Sequence, residues 1–129
     1  MRQVMIDTNV YTAFKLGLKQ VVETLQRADY IGINVVVLGE LYSGFKAGAK
    51  EKQNRKELES FLNSPRTDVV TIDENTAEFF AEVYRVLRKK GRPIPTNDMW
   101  IAASAMQNGL SLYTLDSHFQ HIDGLLLKK

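Results

Sequence analysis

The chain has 129 residues, 44% of them apolar and 25% charged, which suits a globular domain with a real hydrophobic core. It has no cysteine, so disulfides, thiolate metal sites and thiol nucleophiles are excluded, and no apolar stretch is long enough to span a bilayer. The formal net charge of +2 does not by itself announce a nucleic-acid binder.

Val4–Ile6 reads as a short buried strand ending at Asp7. Thr8 can cap a helix that follows through Phe14 to Leu16. Leu18 to Ala28 places Leu18, Val21, Val22 and Leu25 on one helical face, and Asp29 helps to end it. Tyr30–Asn34 is a second strand. Val35–Leu38 is β-branched enough to extend it, but Val37, Leu38, Leu41, Tyr42 and Phe45 follow helical spacing. A helix from about Val35 to Lys46, capped by Asn34 and broken by Gly48, is therefore expected.

Lys50–Leu62 is a charged helix stopped by Pro65, and Val69–Ile72 is a third strand. Asp73 or Asn75 caps a long helix to about Lys90, with Phe79, Phe80, Val83, Val86 and Leu87 as its buried stripe. Gly91 ends it, and Pro93 and Pro95 enforce an extended loop. Thr96 or Asn97 caps a helix from Asp98 to Asn108, closed by Gly109. Leu110–Thr114 is a fourth strand, Ser117–Gln120 a short turn, and Leu125–Leu127 can form a fifth strand. No repeat, low-complexity tract or linker divides the chain, so residues 1–129 are expected to form a single domain. Short apolar strands alternating with helices imply an α/β sandwich around a mostly parallel sheet of four to five strands.

Four carboxylates sit within apolar sequence: Asp7, Glu40, Asp98 and Asp116. An acid there is costly to bury alone, because desolvation disfavours its charged form. Four that met would also repel one another, and a divalent cation taking oxygen ligands would relieve both costs. Asp7 and Asp116 lie just past strand ends, where open α/β sheets bind their ligands. Each acid has a plainer reading. Asp7 can cap a helix, Glu40 can be a surface residue, Asp98 can favour a helix dipole and Asp116 can sit in a turn.

Mg²⁺ or Mn²⁺ suits such an oxygen set and can activate water against a phosphodiester without a side-chain nucleophile. The chain carries no Walker loop, no His-Glu-x-x-His motif and no Gly-x-Ser-x-Gly elbow. Asn9 and Thr114, each two positions from an acid, are expected to support those acids by hydrogen bonds. Asn97 can cap its helix or touch substrate. His118 and His121, close together after Asp116, can be ligands or acid/base groups but read first as exposed turn residues, and Trp100 reads as a core or interface residue. Two basic stretches run from Lys46 through Lys50, Lys52 and Arg55 to Lys56, and from Arg85 to Arg92. Both can be solvated helix faces or can collect phosphates around an acidic centre, which makes Lys46, Lys50, Arg55, Arg92 and Asn97 candidate RNA contacts.

Met5-Ile6-Asp7-Thr8-Asn9-Val10, Val37-Leu38-Gly39-Glu40-Leu41-Tyr42-Ser43-Gly44, Asn97-Asp98-Met99-Trp100-Ile101-Ala102-Ala103 and Leu112-Tyr113-Thr114-Leu115-Asp116-Ser117-His118-Phe119 resemble the successive motifs of PIN-domain proteins. The similarity runs from residue 4 to about 127 and is nearest to the VapC-type toxins of toxin–antitoxin pairs. It implies a PIN-like three-layer sandwich and an Mg²⁺- or Mn²⁺-dependent endoribonuclease. Asp7, Glu40, Asp98 and Asp116 match the four family acids, and Thr114 matches a position that usually carries a small hydroxyl residue. The resemblance further implies a homodimer held inactive by a cognate antitoxin, acting on tRNA or ribosomal RNA to stop translation, while composition makes a cytoplasmic location the default expectation. Asn34 departs from the pattern, since many relatives carry Ser or Thr there. A catalytically silent RNA- or protein-binding module with the same fold is the alternative.

Overall fold

The structure, a computed structural model, describes residues 2–128; Met1 and Lys129 lie outside them. Four parallel strands form one sheet: β1 (Gln3–Ile6), β2 (Tyr30–Asn34), β3 (Thr67–Val70) and β4 (Ser111–Tyr113), in the order β3-β2-β1-β4. Met5 stands opposite Gly32 on one side and Leu112 on the other. Helices α1 (Thr8–Lys15) and α2 (Lys19–Arg27) connect β1 to β2, and α3 (Val35–Ala47) and α4 (Glu51–Leu62) connect β2 to β3. The pair α5 (Glu74–Lys90) and α6 (Thr96–Gln107) leads back across the sheet to β4.

The chain thus steps outward from β1 through β2 to β3, then returns to the far side of β1. Right-handed crossovers put α1–α4 against one face and α5–α6 against the other, giving the expected PIN-like three-layer sandwich. Both faces are covered, so the central strands carry an apolar core: Met5, Ile6, Ile33 and Leu112 are fully buried, while the edge strand β3 exposes Asp68 and Val69. At Gly32 a Cβ would come within 3.1 Å of Leu110 Cδ1 and Val70 Cγ2, so only glycine lets these neighbours approach β2 this closely. Direction reverses at β1 and β4, and the crevice past their carboxyl ends is the switch point where such sheets bind ligands.

Several boundaries differ from the sequence reading, each for a local reason. Thr8 does not cap α1; Asp7 does, its Oδ1 accepting the Val10 N–H at 3.0 Å. Leu18 does not share the buried face of α2 and is exposed, because the chain enters that helix through a left-handed turn at Gly17. β3 covers Thr67–Val70 rather than Val69–Ile72. The Ile31 N–H donates to the Arg66 carbonyl, and the Arg66 guanidinium donates to the carbonyls of Leu25 and Ala28, so pairing and anchoring outweigh the apolar run. Neither Thr96 nor Asn97 caps α6. Pro95 holds that position, and Asp98 is the third residue of the helix. The fifth strand reduces to a single bridge between Leu112 and Leu127 at the edge of β4.

The strongest end signals behave as read. Asn34 caps α3, and Asp73 caps α5 in a reciprocal box with Thr76. Gly91 ends α5 in the left-handed conformation. Trp100 stacks on Phe80 across α5 and α6, with ring centroids 4.1 Å apart. No described helix is long and apolar enough to cross a membrane.

Candidate active site

Asp7, Glu40, Asp98 and Asp116 line one cavity of about 400 Å³ together with Thr8, Asn9, Pro95, Thr96 and Asn97. Four separate segments bring them there. Asp7 ends β1, Asp116 follows β4 by three residues, Glu40 projects from the middle of α3 and Asp98 from the first turn of α6. The cavity lies at the switch point of the sheet. Among the described residues no lysine or arginine lines it.

Each acid is held by neutral or imidazole donors. Asp7 Oδ2 accepts the Thr114 hydroxyl at 2.5 Å, while Oδ1 takes the helix-capping bond. The Thr114 hydroxyl oxygen in turn accepts the backbone N–H of Asp116 at 3.0 Å, so one side chain ties two of the acids together. Asp116 Oδ2 accepts from Asn9 Nδ2 at 3.1 Å. Glu40 Oε1 accepts the Thr8 hydroxyl at 2.5 Å, and Oε2 lies 3.4 Å from Asn97 Nδ2. Asp98 Oδ2 lies 2.8 Å from His118 Nε2.

Electrostatics register the crowding. Asp7 is only 4% exposed, and burial pushes its carboxyl above the usual carboxylate range. The Thr114 and Val10 hydrogen bonds pull it back, while the charges of Asp116 and Asp98 push it further up. Asp98 is likewise raised, first by burial, with His118 opposing and Glu40 and Asp116 adding repulsion. These mutual effects link Asp7 to Asp116 and Asp98, and Asp98 in turn to Glu40 and Asp116. Among the described residues no three acidic or histidine side chains already stand at metal-ligand spacing. Each carboxylate is turned instead toward its own hydrogen-bond donor, and gathering several around one ion requires side-chain rotation. The donor set nonetheless fits a hard divalent cation: it offers carboxylate oxygens, and the deepest of them is a buried acid lacking a cationic side-chain partner.

The other sequence candidates divide. Asn9, Thr114 and Asn97 contact the acids directly. Lys46, Lys50, Arg55 and Arg92 do not line the cavity. Lys46 and Arg55 both pair with Glu51, and the Arg55 guanidinium also lies over the Tyr42 ring at 4.4 Å. Sequence reading underrated two residues. His118 is not simply an exposed turn residue: fully buried Phe119 pins the 3-10 turn Ser117–His121 to the core and brings His118 onto Asp98. Thr8, read only as a cap, bonds Glu40. Position in the motif, directly after Asp7, was the available signal for Thr8, and closeness to Asp116 was the signal for His118.

A model of the PIN domain family matches residues 4–125. Ribonuclease VapC5 of Mycobacterium tuberculosis is 31% identical over 119 residues, covering 92% of this chain and 87% of that protein. In the crystal structure of VapBC2 from Rickettsia felis bound to a promoter DNA fragment, one chain superposes with a TM-score of 0.86 at 27% identity. That match covers 98% of this chain and 97% of the other. In the crystal structure of VapBC-5 from Mycobacterium tuberculosis, a member of the VapBC family of toxin–antitoxin systems, the TM-score is 0.75 at 28% identity, covering 98% and 94%. With its fold, its ordered motifs and these relatives in agreement, the chain belongs to the PIN-domain family and, within it, to the VapC ribonucleases.

Proposed function

We propose that the chain is a metal-dependent endoribonuclease and the toxin of a toxin–antitoxin pair, acting as one nuclease domain. The observation that carries this reading is the convergence of Asp7, Glu40, Asp98 and Asp116 on one cavity that no basic side chain lines among the described residues. Those four acids would hold Mg²⁺ or Mn²⁺, which when bound supplies Lewis-acid activation of water and neutralises charge on the phosphodiester. The chain's own part is to orient oxygens. Thr114 and the Val10 N–H fix both oxygens of Asp7, His118 fixes one of Asp98, Asn9 one of Asp116, and Thr8 and Asn97 approach both of Glu40.

From the cavity an open groove runs along α3 past Val36, Gly39, Ser43 and Asn97. Single-stranded RNA has room to lie there, with Asn97 at the cavity rim. Lys46, Lys50, Arg55 and Arg92 serve backbone phosphates beyond the cut, because they lie off the cavity and cannot address the scissile phosphate itself. The substrate class is tRNA or ribosomal RNA in the cytoplasm, so that cleavage inhibits translation. The partners are a second copy of the chain and a cognate antitoxin, in keeping with the VapBC complexes formed by its structural relatives.

Purified protein is expected to cleave RNA in Mg²⁺ or Mn²⁺, and EDTA should stop it. Asp98→Asn should abolish cleavage with the fold intact. Cleavage by Asp98→Asn at the wild-type rate would sink the assignment. Among the described residues no three acids already stand at ligand spacing, which favours a second reading, a catalytically silent RNA- or protein-binding module. RNA binding unchanged by chelation, with no cleavage, would select it.

A further inference from the structure

Asn34 and Ser104 are both fully buried, at 0% exposure. A buried amide and a buried hydroxyl are costly unless each finds a partner. They find each other: Asn34 Nδ2 donates to Ser104 Oγ at 2.9 Å, across 70 residues of sequence. The same side chain uses its Oδ1 to accept the Val36 N–H at 2.7 Å and so caps α3. One amide therefore joins the start of the helix bearing Glu40 to the middle of the helix bearing Asp98.

A second polar contact joins the same two helices at the mouth of the cavity, where Asn97 Nδ2 faces Glu40 Oε2. The two contacts are six residues apart in one segment (34 to 40) and seven in the other (97 to 104), in opposite order. At 1.5 Å per residue these spans are about 9 Å and about 10 Å. The helices therefore run antiparallel where they touch, and a register that satisfies the inner pair also brings Glu40 to Asn97. The inner pair is dry and pinned at both ends, whereas the outer one is long and solvent-exposed. Control runs from the inner pair to the outer.

We infer that the Asn34–Ser104 pair positions Glu40 relative to Asp98. The two residues touch neither substrate nor cation; they set the axial register of α3 on α6. A smaller cap such as Ser would hold the helix start but would not reach Ser104 in the same way. The Asn at position 34 thus joins two tasks, capping and spacing. The inference rests on the proposed metal-dependent ribonuclease reading.

Ser104→Ala removes the hydroxyl that accepts from Asn34, and Asn34→Ser keeps a cap while shortening the reach. Both are compared with wild type for thermal stability, for kcat and KM on RNA, and for Mn²⁺ affinity by calorimetry. Each comparison is repeated in a Glu40→Gln background. The expected result is a folded protein with unchanged KM, with kcat and Mn²⁺ affinity each lowered roughly 10-fold or more, as for other groups that orient metal ligands. In the Glu40→Gln background the further loss of Mn²⁺ affinity should vanish, because the pair acts through Glu40. An equal loss in both backgrounds, or wild-type kcat and Mn²⁺ affinity in Ser104→Ala, overturns the inference. If wild type cleaves no RNA yet binds Mn²⁺, the ribonuclease reading fails while the calorimetric cycle still decides the role of the pair. A wild-type chain that neither cleaves nor binds Mn²⁺ sinks both.

Discussion

The Thr114 hydroxyl donates to Asp7 Oδ2 at 2.5 Å and closes the gap between the ends of β1 and β4, 107 residues apart in sequence. The register of the two strands sets this up. Ile6 stands opposite Tyr113, so the residues immediately after each strand, Asp7 and Thr114, emerge side by side. The same hydroxyl oxygen receives the Asp116 N–H and so fixes the backbone from which the fourth acid projects.

Thr114→Val keeps the shape and β-branching of this residue and deletes the hydroxyl. It should lower RNA cleavage by about 10–100-fold, the usual effect of losing a group that orients a metal-binding carboxylate. Thr114→Ser should retain most of the activity. Circular dichroism and denaturant midpoints must show both variants folded. Wild-type cleavage by Thr114→Val would show that Asp7 needs no orienting hydroxyl.

The site was more legible in the sequence than its supports were. Asp7, Glu40, Asp98 and Asp116 stood out because a carboxylate next to apolar residues conflicts with burial, and that conflict is local. His118 carried no such mark. Its place on Asp98 follows from the burial of Phe119 and from a 3-10 turn, and both depend on the assembled core. β3 was misplaced by two residues for a similar reason. Val69 is exposed at the sheet edge while Val70 is buried, so the apolar run Val69–Ile72 did not mark the strand, and pairing with Ile31–Asn34 decided the register. Asn34 was read correctly as a cap, but its bond to Ser104 spans two helices and no spacing rule reveals it.

Phe119 gives a test of the anchoring of the 3-10 turn. It is fully buried and directly follows His118. Phe119→Ala should cost about 3–5 kcal/mol by opening a cavity, read as a lower denaturant midpoint. Phe119→Leu should cost less and should keep the turn in place. If Phe119→Ala unfolds at the wild-type midpoint, the turn is not held by this ring.

Asp73 gives a test that depends on pH. Its carboxyl is held below the usual range, first by the Thr76 N–H and then by the Gln107 side chain, which ties the start of α5 to the end of α6. A lowered folded-state pKa contributes stability above the unfolded value near 3.8, and that contribution is lost as pH falls through the folded value. Asp73→Ala should therefore lower Tm at pH 7. The gap to wild type should narrow as pH drops below the carboxylate range. A gap that stays constant from neutral to strongly acid pH would mean that the charge of Asp73 is irrelevant to its cap.

Asp7 is expected to trade stability for function, and the trade should invert with metal. Its buried carboxylate is opposed by desolvation and by Asp116 and Asp98, and among the described residues no cationic side chain lines the cavity to offset this. In Asp7→Asn the amide oxygen can still accept the Val10 N–H, and the amide nitrogen can donate to a Thr114 hydroxyl that has turned round. In EDTA at pH 7 the variant should therefore melt higher than wild type, since the cap survives and the buried charge is gone. Adding Mn²⁺ should raise the Tm of wild type, by an amount equivalent to about 2.7 kcal/mol at a hundredfold excess over Kd, and leave Asp7→Asn nearly unmoved. The order of the two melting temperatures then reverses between chelator and saturating Mn²⁺. Differential scanning fluorimetry reads both conditions on one plate. If wild type is the more stable protein in EDTA, the cavity tolerates the charge of Asp7 without a cation, and the argument from buried, mutually repelling acids to a metal site loses its footing.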